Sequence, residues 1–190
     1  MTLTVRPATV FEDVAAVVGP KNPSSSVCFC LSYRIGSKEN RMLRGPARAE
    51  RVRELCAQDP PPGVLAYEGD TPVAWAALHP RRDTSFAANR RIPHVDDLDV
   101  WSLWCIRVRP GYRKQGISHE LVAGAVRIAG EQGAPAVEAY PVDNRGERVD
   151  LTMAYVGTRA LFERAGFRKV ADTTSVLDGF PRILMRYDLR

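Results

Sequence analysis

The sequence has little lysine, although its formal net charge is +5. Lysine occurs only at Lys21, Lys38, Lys114 and Lys169, so arginine supplies nearly all of the positive charge. The basic residues are dispersed, and no motif of interleaved aromatic and basic residues suggests RNA recognition. The composition therefore argues against a nucleic-acid partner, and a polyanionic small ligand accounts for the positive balance equally well.

Long apolar runs are also missing. No stretch approaches the roughly 18 apolar residues typical of a membrane-spanning helix, which argues against a membrane partner. The first residues, Met1–Arg6, lack the apolar segment of a secretory signal and read directly as a strand. We therefore expect a cytoplasmic protein.

Cysteine and histidine are too few, and too irregularly spaced, for a zinc site. Cys28 and Cys30 are one residue apart, and no second pair stands at zinc-finger spacing from them. Cys56 and Cys105 are isolated in the sequence. We expect reduced thiols and no bound metal.

The 190 residues suffice for one domain with a sizeable core, and no linker or repeat divides residues 1–190. Strand and helix patterns alternate, which predicts a mixed α/β fold. The predicted strands are Thr4–Pro7, Val64–Tyr67, Val73–Leu78, Val100–Val108, Ala134–Tyr140, Phe167–Ala171 and Arg182–Tyr187. The predicted helices are Phe11–Val18 with Thr9 as its N-cap, Ala47–Ala57, Ile117–Gly130 and Leu151–Ala165, and residues 21–38 read as irregular.

A short basic turn with one glycine connects the strand that ends at Val108 to the helix that begins at Ile117. The first N–H groups of a helix have no intrahelical partner, so they can donate to a phosphate or pyrophosphate. Gly116 allows close approach of a ligand, while Arg113 and Lys114 add full positive charges. The same pattern also occurs as an ordinary strand–turn–helix connection.

Two motifs in this order resemble those of the GCN5-related N-acetyltransferases, the GNAT family. Arg113 and Gly116 occupy fixed positions of the family's pyrophosphate loop, and Ser118 replaces its last small residue. Ala160–Phe167 resembles the family's helix-to-strand ending. The resemblance implies a mixed central sheet flanked by helices, in which two parallel strands, Val100–Val108 and Ala134–Tyr140, splay apart at the cofactor site.

The resemblance also implies the cofactor and the residues that hold it. Acetyl-CoA would be the donor and CoA the product. The backbone of Ile106, Arg107 and Val108 would pair with pantetheine. The pyrophosphate would be held by Arg113, Lys114, Gln115, Gly116, Ile117 and Ser118.

The catalytic side chains are less defined, because Phe162 stands where many family members have a tyrosine acid. Tyr140 and Tyr155 could each supply the proton, or both could be packing residues. Glu138, within an apolar strand, is either a general base or one half of an ion pair. Cys105 is either an acyl-accepting nucleophile or a small buried thiol.

The function that the resemblance implies is direct transfer of an acetyl group to an amine. The acceptor would be a small molecule, a peptide N-terminus or a protein lysine, and the exposed sheet edges of such folds allow a homodimer. The missing tyrosine at position 162 leaves an alternative, a CoA-binding regulatory module without catalysis.

Overall fold

A seven-stranded mixed sheet forms the centre of the computed structural model, which describes residues 3–22, 24–150 and 152–190. The strand order is β1-β2-β3-β4-β5-β7-β6, and β4 and β5 are the parallel pair while the other neighbours are antiparallel. This arrangement confirms the expected α/β fold class. The strands are β1 Leu3–Pro7, β2 Gly63–Glu68, β3 Thr71–Pro80, β4 Trp101–Val108, β5 Ala136–Ala139, β6 Arg168–Leu177 and β7 Phe180–Asp188.

Helices cover both faces of the sheet. One apolar cluster joins the sheet to α4 and α5, and a second joins the opposite face to α1 and α3. The interior strand β3 is buried from Val73 onwards on both faces, as a strand covered on both sides must be. The helices are α1 Phe11–Val18, α2 Ser37–Met42, α3 Pro46–Cys56, α4 Ile117–Glu131 and α5 Arg159–Arg164.

The feature that positions the site is a split between β4 and β5. Their register pairs Trp101 with Val137, Ser102 with Glu138 and Leu103 with Ala139, and it ends there. On the other edge of β4, Ala77 of β3 pairs with Cys105 and Leu78 pairs with Leu103, so Trp104 is an extra residue in a β-bulge. A bulge bends its strand, and here it coincides with the point where β4 leaves β5.

Several predicted elements are corrected. Leu151 lies outside the described residues, and the rest of the predicted 151–165 helix is a 3-10 turn at Ala154–Val156 followed by α5. Gly157, with φ +75°, breaks the helical path, and the Thr158 side chain caps α5 by accepting from the N–H of Leu161. Pro23, in the predicted irregular segment 21–38, also lies outside the described residues.

Three further differences are smaller. Helix α2 is absent from the prediction, and Val10 rather than Thr9 precedes α1, with no side-chain cap. The strand predicted at Ala134–Tyr140 keeps ladder pairing only over Ala136–Ala139.

Within the described ranges, no helix combines the length and apolarity needed to cross a membrane.

Candidate active site

A cavity of about 430 Å³ opens beside the split, and we call it the basic cavity. One wall comes from the end of β4 and the following loop, and the other comes from the 3-10 turn and α5. The two walls are far apart in the sequence, since the first ends at His119 and the second begins at Ala154. The first wall contains Ile106, Arg107, Val108, Tyr112, Arg113, Lys114, Gly116, Ile117, Ser118 and His119, and the second contains Ala154, Tyr155, Gly157 and Leu161.

The loop before α4 is held in an unusual backbone path. Gly111, Lys114 and Gly116 have φ values of +91°, +63° and +80°, and the left-handed region favours glycine. The side chain of Gln115 donates to the carbonyl of Gly111 at 3.0 Å, which ties the loop to itself. A Cβ added at Gly116 would meet nothing within 4 Å, so the space beside its backbone is open.

The charge around the basic cavity suits a polyanion. Arg107, Arg113 and Lys114 line it, and the first turn of α4 contributes backbone donors and the positive end of the helix dipole. No carboxylate occurs among the lining residues that the structure describes. The fit to a pyrophosphate therefore rests on three cationic side chains, a helix N-terminus and the free space beside Gly116.

The free edge of β4 completes this wall. Beyond Leu103 the strand has no β5 neighbour, so its backbone groups on that side face the gap rather than a ladder partner. Ile106, Arg107 and Val108 lie on this free segment and line the basic cavity. An extended amide-containing ligand could pair here as an added strand would.

A second cavity of about 340 Å³ lies on the α1 side of the split, and we call it the aromatic cavity. Arg107 and Tyr155 form part of both cavities, so the two cavities meet at these residues. Tyr33 also lines this cavity, and its ring stacks at 4.4 Å between centroids on Phe86, which is fully buried behind the lining. The other lining residues are Val18, Val27, Cys28, Phe29, Cys30, Ser32, Trp104, Cys105 and Thr152.

Tyr155, one of the two tyrosines that the sequence offers as a proton donor, lines both cavities. It is half-buried on the 3-10 turn at the junction of the two cavities. Burial raises its pKa to about 12, and the neighbouring Tyr33 adds to the rise. Its hydroxyl therefore keeps its proton throughout the neutral range.

Glu138, which the sequence left open as a general base or one half of an ion pair, lies away from both cavities. Its side chain is fully buried, lines neither cavity and accepts from Arg81 Nη1 at 2.9 Å, with Arg186 Nη1 at 3.9 Å. Burial raises the pKa of this carboxyl, and the Arg81 guanidinium opposes the rise. The ion-pair interpretation matches this geometry, because Oε2 accepts from Arg81, while the buried Oε1 has no hydrogen-bond partner among the described residues.

Tyr140, which the sequence left open as a proton donor or a packing residue, has the contacts of a packing residue. Its ring is 1% exposed and stacks on Phe86 at 4.2 Å, and its hydroxyl lies 2.7 Å from Ser102 Oγ. It lines neither cavity. Burial raises the pKa of the Tyr140 hydroxyl, and the Glu138 charge adds to this rise.

The remaining candidates are divided between the cavities. Eight of the nine expected cofactor residues line the basic cavity, and Gln115 does not, since its side chain is used within the loop. Cys105 lines the aromatic cavity, with its Sγ 2.7 Å from that of Cys30. Phe162 is fully buried against Phe167, which leaves Tyr155 as the tyrosine at the basic cavity wall formed by the 3-10 turn and α5.

Sequence reasoning missed Tyr33 and Trp104 as cavity residues. Trp104 is the bulge residue, and the position of a bulge cannot be predicted within a continuous run of apolar residues. Tyr33 has a φ of +74° and lies in an irregular segment, where no periodic pattern predicts which way a side chain points. Over the described residues, no group of three or more His, Cys, Asp and Glu side chains is placed to hold a metal ion.

Comparison with known proteins identifies the family. The model of the "Acetyltransferase (GNAT) family" matches residues 33–167, well over half of the chain. The chain therefore belongs to the GNAT family of acetyltransferases, as its two sequence motifs predicted. No curated protein sequence matches it significantly.

Solved structures share the fold at low sequence identity. A GNAT-family acetyltransferase from Streptococcus pneumoniae is 15% identical, with a TM-score of 0.56 and 100% of both chains covered. The PaiA N-acetyltransferase from Thermoplasma acidophilum, in complex with coenzyme A, is 12% identical, with a TM-score of 0.55 and 99% of each chain covered. An aminoglycoside acetyltransferase in complex with coenzyme A is 12% identical, with a TM-score of 0.59 over 99% of this chain and 95% of that one. At these identities the likeness establishes the fold alone.

Proposed function

We propose that this protein transfers the acetyl group of acetyl-CoA directly to an amine. The observation that carries the proposal is the junction of the basic and aromatic cavities at Arg107 and Tyr155. The basic cavity suits a polyanionic donor, and the aromatic cavity would bring the acceptor amine to the residues that both cavities share. The family and the solved relatives bound to coenzyme A support acetyl-CoA as that donor.

The basic cavity would hold the donor through its backbone and its cations. The free edge of β4 at Ile106, Arg107 and Val108 would pair with the pantetheine amides. The first turn of α4, with Arg113 and Lys114, would hold the pyrophosphate. When bound, acetyl-CoA supplies an activated thioester, so positioning by these residues can provide much of the rate enhancement.

Tyr155 is the proposed catalytic acid. Its hydroxyl holds a proton at neutral pH and lies where the two cavities meet, so it can donate to the sulfur that leaves. Neither Glu138 nor Tyr140 reaches this point. The described lining of the aromatic cavity contains no carboxylate or histidine, so we propose that the amine loses its proton to water.

The lining of the aromatic cavity also indicates the class of acceptor. Phe29, Tyr33 and Trp104, together with Val18 and Val27, present apolar and aromatic surface. An amine carried on an apolar or aromatic group fits this lining, because apolar burial then contributes to binding. A polycationic acceptor does not fit, because Arg107 would repel it and no acid in this lining would compensate.

The first experiment is titration calorimetry of the protein with acetyl-CoA at fixed salt, followed by screening of apolar and aromatic amines by release of free thiol. We expect micromolar binding and amine-dependent turnover. Binding without turnover on any amine would instead support a regulatory CoA-binding module. Absence of binding would mean that the glycine loop is only a turn, and the proposal would fail.

The role of Tyr155 is tested by Tyr155→Phe with Tyr140→Phe as the matched control. We expect Tyr155→Phe to lower kcat by about 100-fold, the usual scale of general acid catalysis, with acetyl-CoA affinity nearly unchanged. Tyr140→Phe removes a buried hydroxyl away from both cavities, so it should reduce stability and leave kcat within a few-fold. Equal kcat values for the two variants would exclude Tyr155 as the acid.

A further inference from the structure

Two cysteines from distant parts of the sequence meet at the wall of the aromatic cavity. Cys30 and Cys105 are 75 positions apart, yet their Sγ atoms lie 2.7 Å from each other. Both are free thiols, and both line the cavity. Acetyl transfer as proposed above uses neither of them.

The backbones that carry the two thiols are fixed on each side. Cys105 pairs with Ala77 of β3 and directly follows the bulge residue Trp104. Cys30 has a left-handed backbone, with φ +55°, and its neighbours Phe29 and Leu31 are buried at 5% and 2% exposure. Because the neighbours anchor the loop, the Cys30 sulfur is held against β4 rather than free to swing away.

The other two cysteines are placed differently. Cys28 is exposed, and its Sγ contacts Ser32 Oγ at 3.2 Å. Cys56 is buried on α3, where burial raises its pKa to about 11. In the described residues, Cys30 and Cys105 are the cysteines whose sulfur atoms are in contact.

We infer that Cys30 and Cys105 are a modification site that a hydroperoxide converts to a reversible disulfide. One thiol, as its thiolate, attacks a peroxide oxygen, the O–O bond breaks, and a sulfenic acid and water form. The second thiol attacks the sulfenic sulfur, the S–S bond forms, the S–O bond breaks, and a second water leaves. Two thiols and one hydrogen peroxide thus give one disulfide and two waters.

The contact geometry favours the second step over further oxidation. The thiols are already neighbours, so closing the bond costs little of the entropy that a flexible loop would lose. The Sγ atoms are 2.7 Å apart, so they need to approach by less than about 1 Å to reach the S–S bond length of about 2.05 Å. The aromatic cavity is far larger than the roughly 30 Å³ share of a water molecule, so a peroxide of similar size can reach the pair.

Contact with Cys105 and burial raise the pKa of the Cys30 thiol, while the Arg107 charge opposes the rise. At neutral pH Cys30 therefore keeps its proton, and we expect its oxidation to be slow, because the thiolate is the reactive form. Such a slow reaction is consistent with a pair that responds to sustained oxidant and stays reduced otherwise.

The disulfide would change the binding of the acceptor amine more than the binding of acetyl-CoA, an expectation that rests on the proposed function. Cys30 and Cys105 line the aromatic cavity but not the basic cavity. Joining them ties the irregular loop to β4 and fixes one wall of the aromatic cavity. We expect the KM for the amine to change at least several-fold and the affinity for acetyl-CoA to remain within about two-fold.

The test is a thiol count on the reduced full-length protein after treatment with a small excess of hydrogen peroxide. After denaturation and alkylation, the wild type should lose two of its 4 alkylatable cysteines. Its intact mass before alkylation should fall by two hydrogen atoms, a peptide map should join Cys30 to Cys105, and dithiothreitol should restore all thiols. Cys56→Ser and Cys28→Ser should form the same link, and Cys30→Ser and Cys105→Ser should not.

The inference is overturned if all cysteines stay alkylatable, if the link involves Cys28, or if Cys28 is oxidised to sulfinic acid while the pair stays reduced. These readouts do not need turnover. A protein that forms the link but acetylates no amine would contradict the proposed function and leave the disulfide site standing. A protein that acetylates amines but never forms the link would contradict the disulfide site and support the proposed function.

Discussion

His79 shows how strongly this fold can act on one residue. It lies on β3 at 3% exposure, its ring stacks on Trp101, and its Nε2 is 3.3 Å from the carbonyl oxygen of Pro60. Burial lowers its pKa to about 4, Arg34 contributes to the decrease, and Asp83 opposes it. The imidazole is therefore neutral in the folded protein at every pH at which the protein would normally be handled.

A stability prediction follows from this pKa. The unfolded chain binds the His79 proton near pH 6.5, and the folded protein binds it only near pH 4. Between these values the unfolded state holds more protons, so the free energy of unfolding falls as pH is lowered from 6.5 to 4. We expect His79 to account for up to about 3 kcal/mol of that loss.

The measurement is urea denaturation of wild type and His79→Gln at pH 7.5 and pH 4.5, with ionic strength constant. Glutamine can still donate to Pro60 but does not titrate, so the variant should lose less stability between the two pH values. The carboxylates titrate in both proteins and cancel in the comparison. An equal loss in both would show that His79 is not the group responsible.

Single residues were the hardest part of the site to predict. Glu138 looked like a base because an acid in an apolar strand needs a reason to be there. The reason is Arg81, 57 positions away, which no local pattern could place beside it. The contact between Cys30 and Cys105 was unpredictable for the same cause. Tyr155 was a candidate because it stands seven residues before Phe162 in a segment predicted as one helix, although Gly157 separates it from α5 in the structure.

At the scale of elements, helix α4 offers a matched pair of glycines for testing the basic cavity. Gly116 precedes the helix and Gly133 follows it, and both have φ +80° with nothing within 4 Å of an added Cβ. Valine at either position incurs a similar backbone strain, about 1–2 kcal/mol. Only Gly116 lines the basic cavity.

We therefore expect Gly116→Val to weaken acetyl-CoA binding by at least about 10-fold, a loss of about 1.4 kcal/mol, because its side chain would enter the space that we propose for the pyrophosphate. Gly133→Val should be destabilised to a similar extent and bind normally. Calorimetry on both variants, after circular dichroism confirms that they are folded, separates the two effects. Unchanged affinity in folded Gly116→Val would place the pyrophosphate elsewhere.

Elements with a strong local signal were predicted well, and those without one were not. Helix α4 came from its apolar stripe, and α1 and α3 came from residues at their ends, such as Gly19 and Pro20 after α1 and Pro46 at the start of α3. Helix α2 has six residues and none is buried, so it presents no apolar stripe to recognise. The helix predicted from residue 151 was too long because the apolar pattern outweighed Gly157 and Thr158, which mark the true start of α5.

At the scale of the whole molecule, the positive charge that is dispersed in the sequence is partly gathered at the basic cavity. We expect coenzyme A at about 100 times its Kd to stabilise the protein by about 2.7 kcal/mol through mass action. For a protein of this size that corresponds to a rise in Tm of about 5–10 °C. Differential scanning fluorimetry measures it directly.

Salt provides the control for this prediction. The cavity cations are at least partly exposed, so their attraction to phosphates is screened when salt rises. At fixed coenzyme A concentration, the Tm increase should shrink markedly between about 0.05 M and 1 M NaCl. An increase that is independent of salt would assign the binding energy to apolar contacts and contradict the role given to Arg107, Arg113 and Lys114.

Because the two cavities share Arg107 and Tyr155, a ligand in one cavity can affect the binding of a ligand in the other. Molecules in the two cavities would both contact these residues, so we expect binding in one cavity to change the affinity of the other. Coupling of this kind is reciprocal: whatever factor the donor applies to the affinity of the acceptor, the acceptor applies to the affinity of the donor. The sign and size of this cooperativity can be measured from either side, and the two measurements must agree.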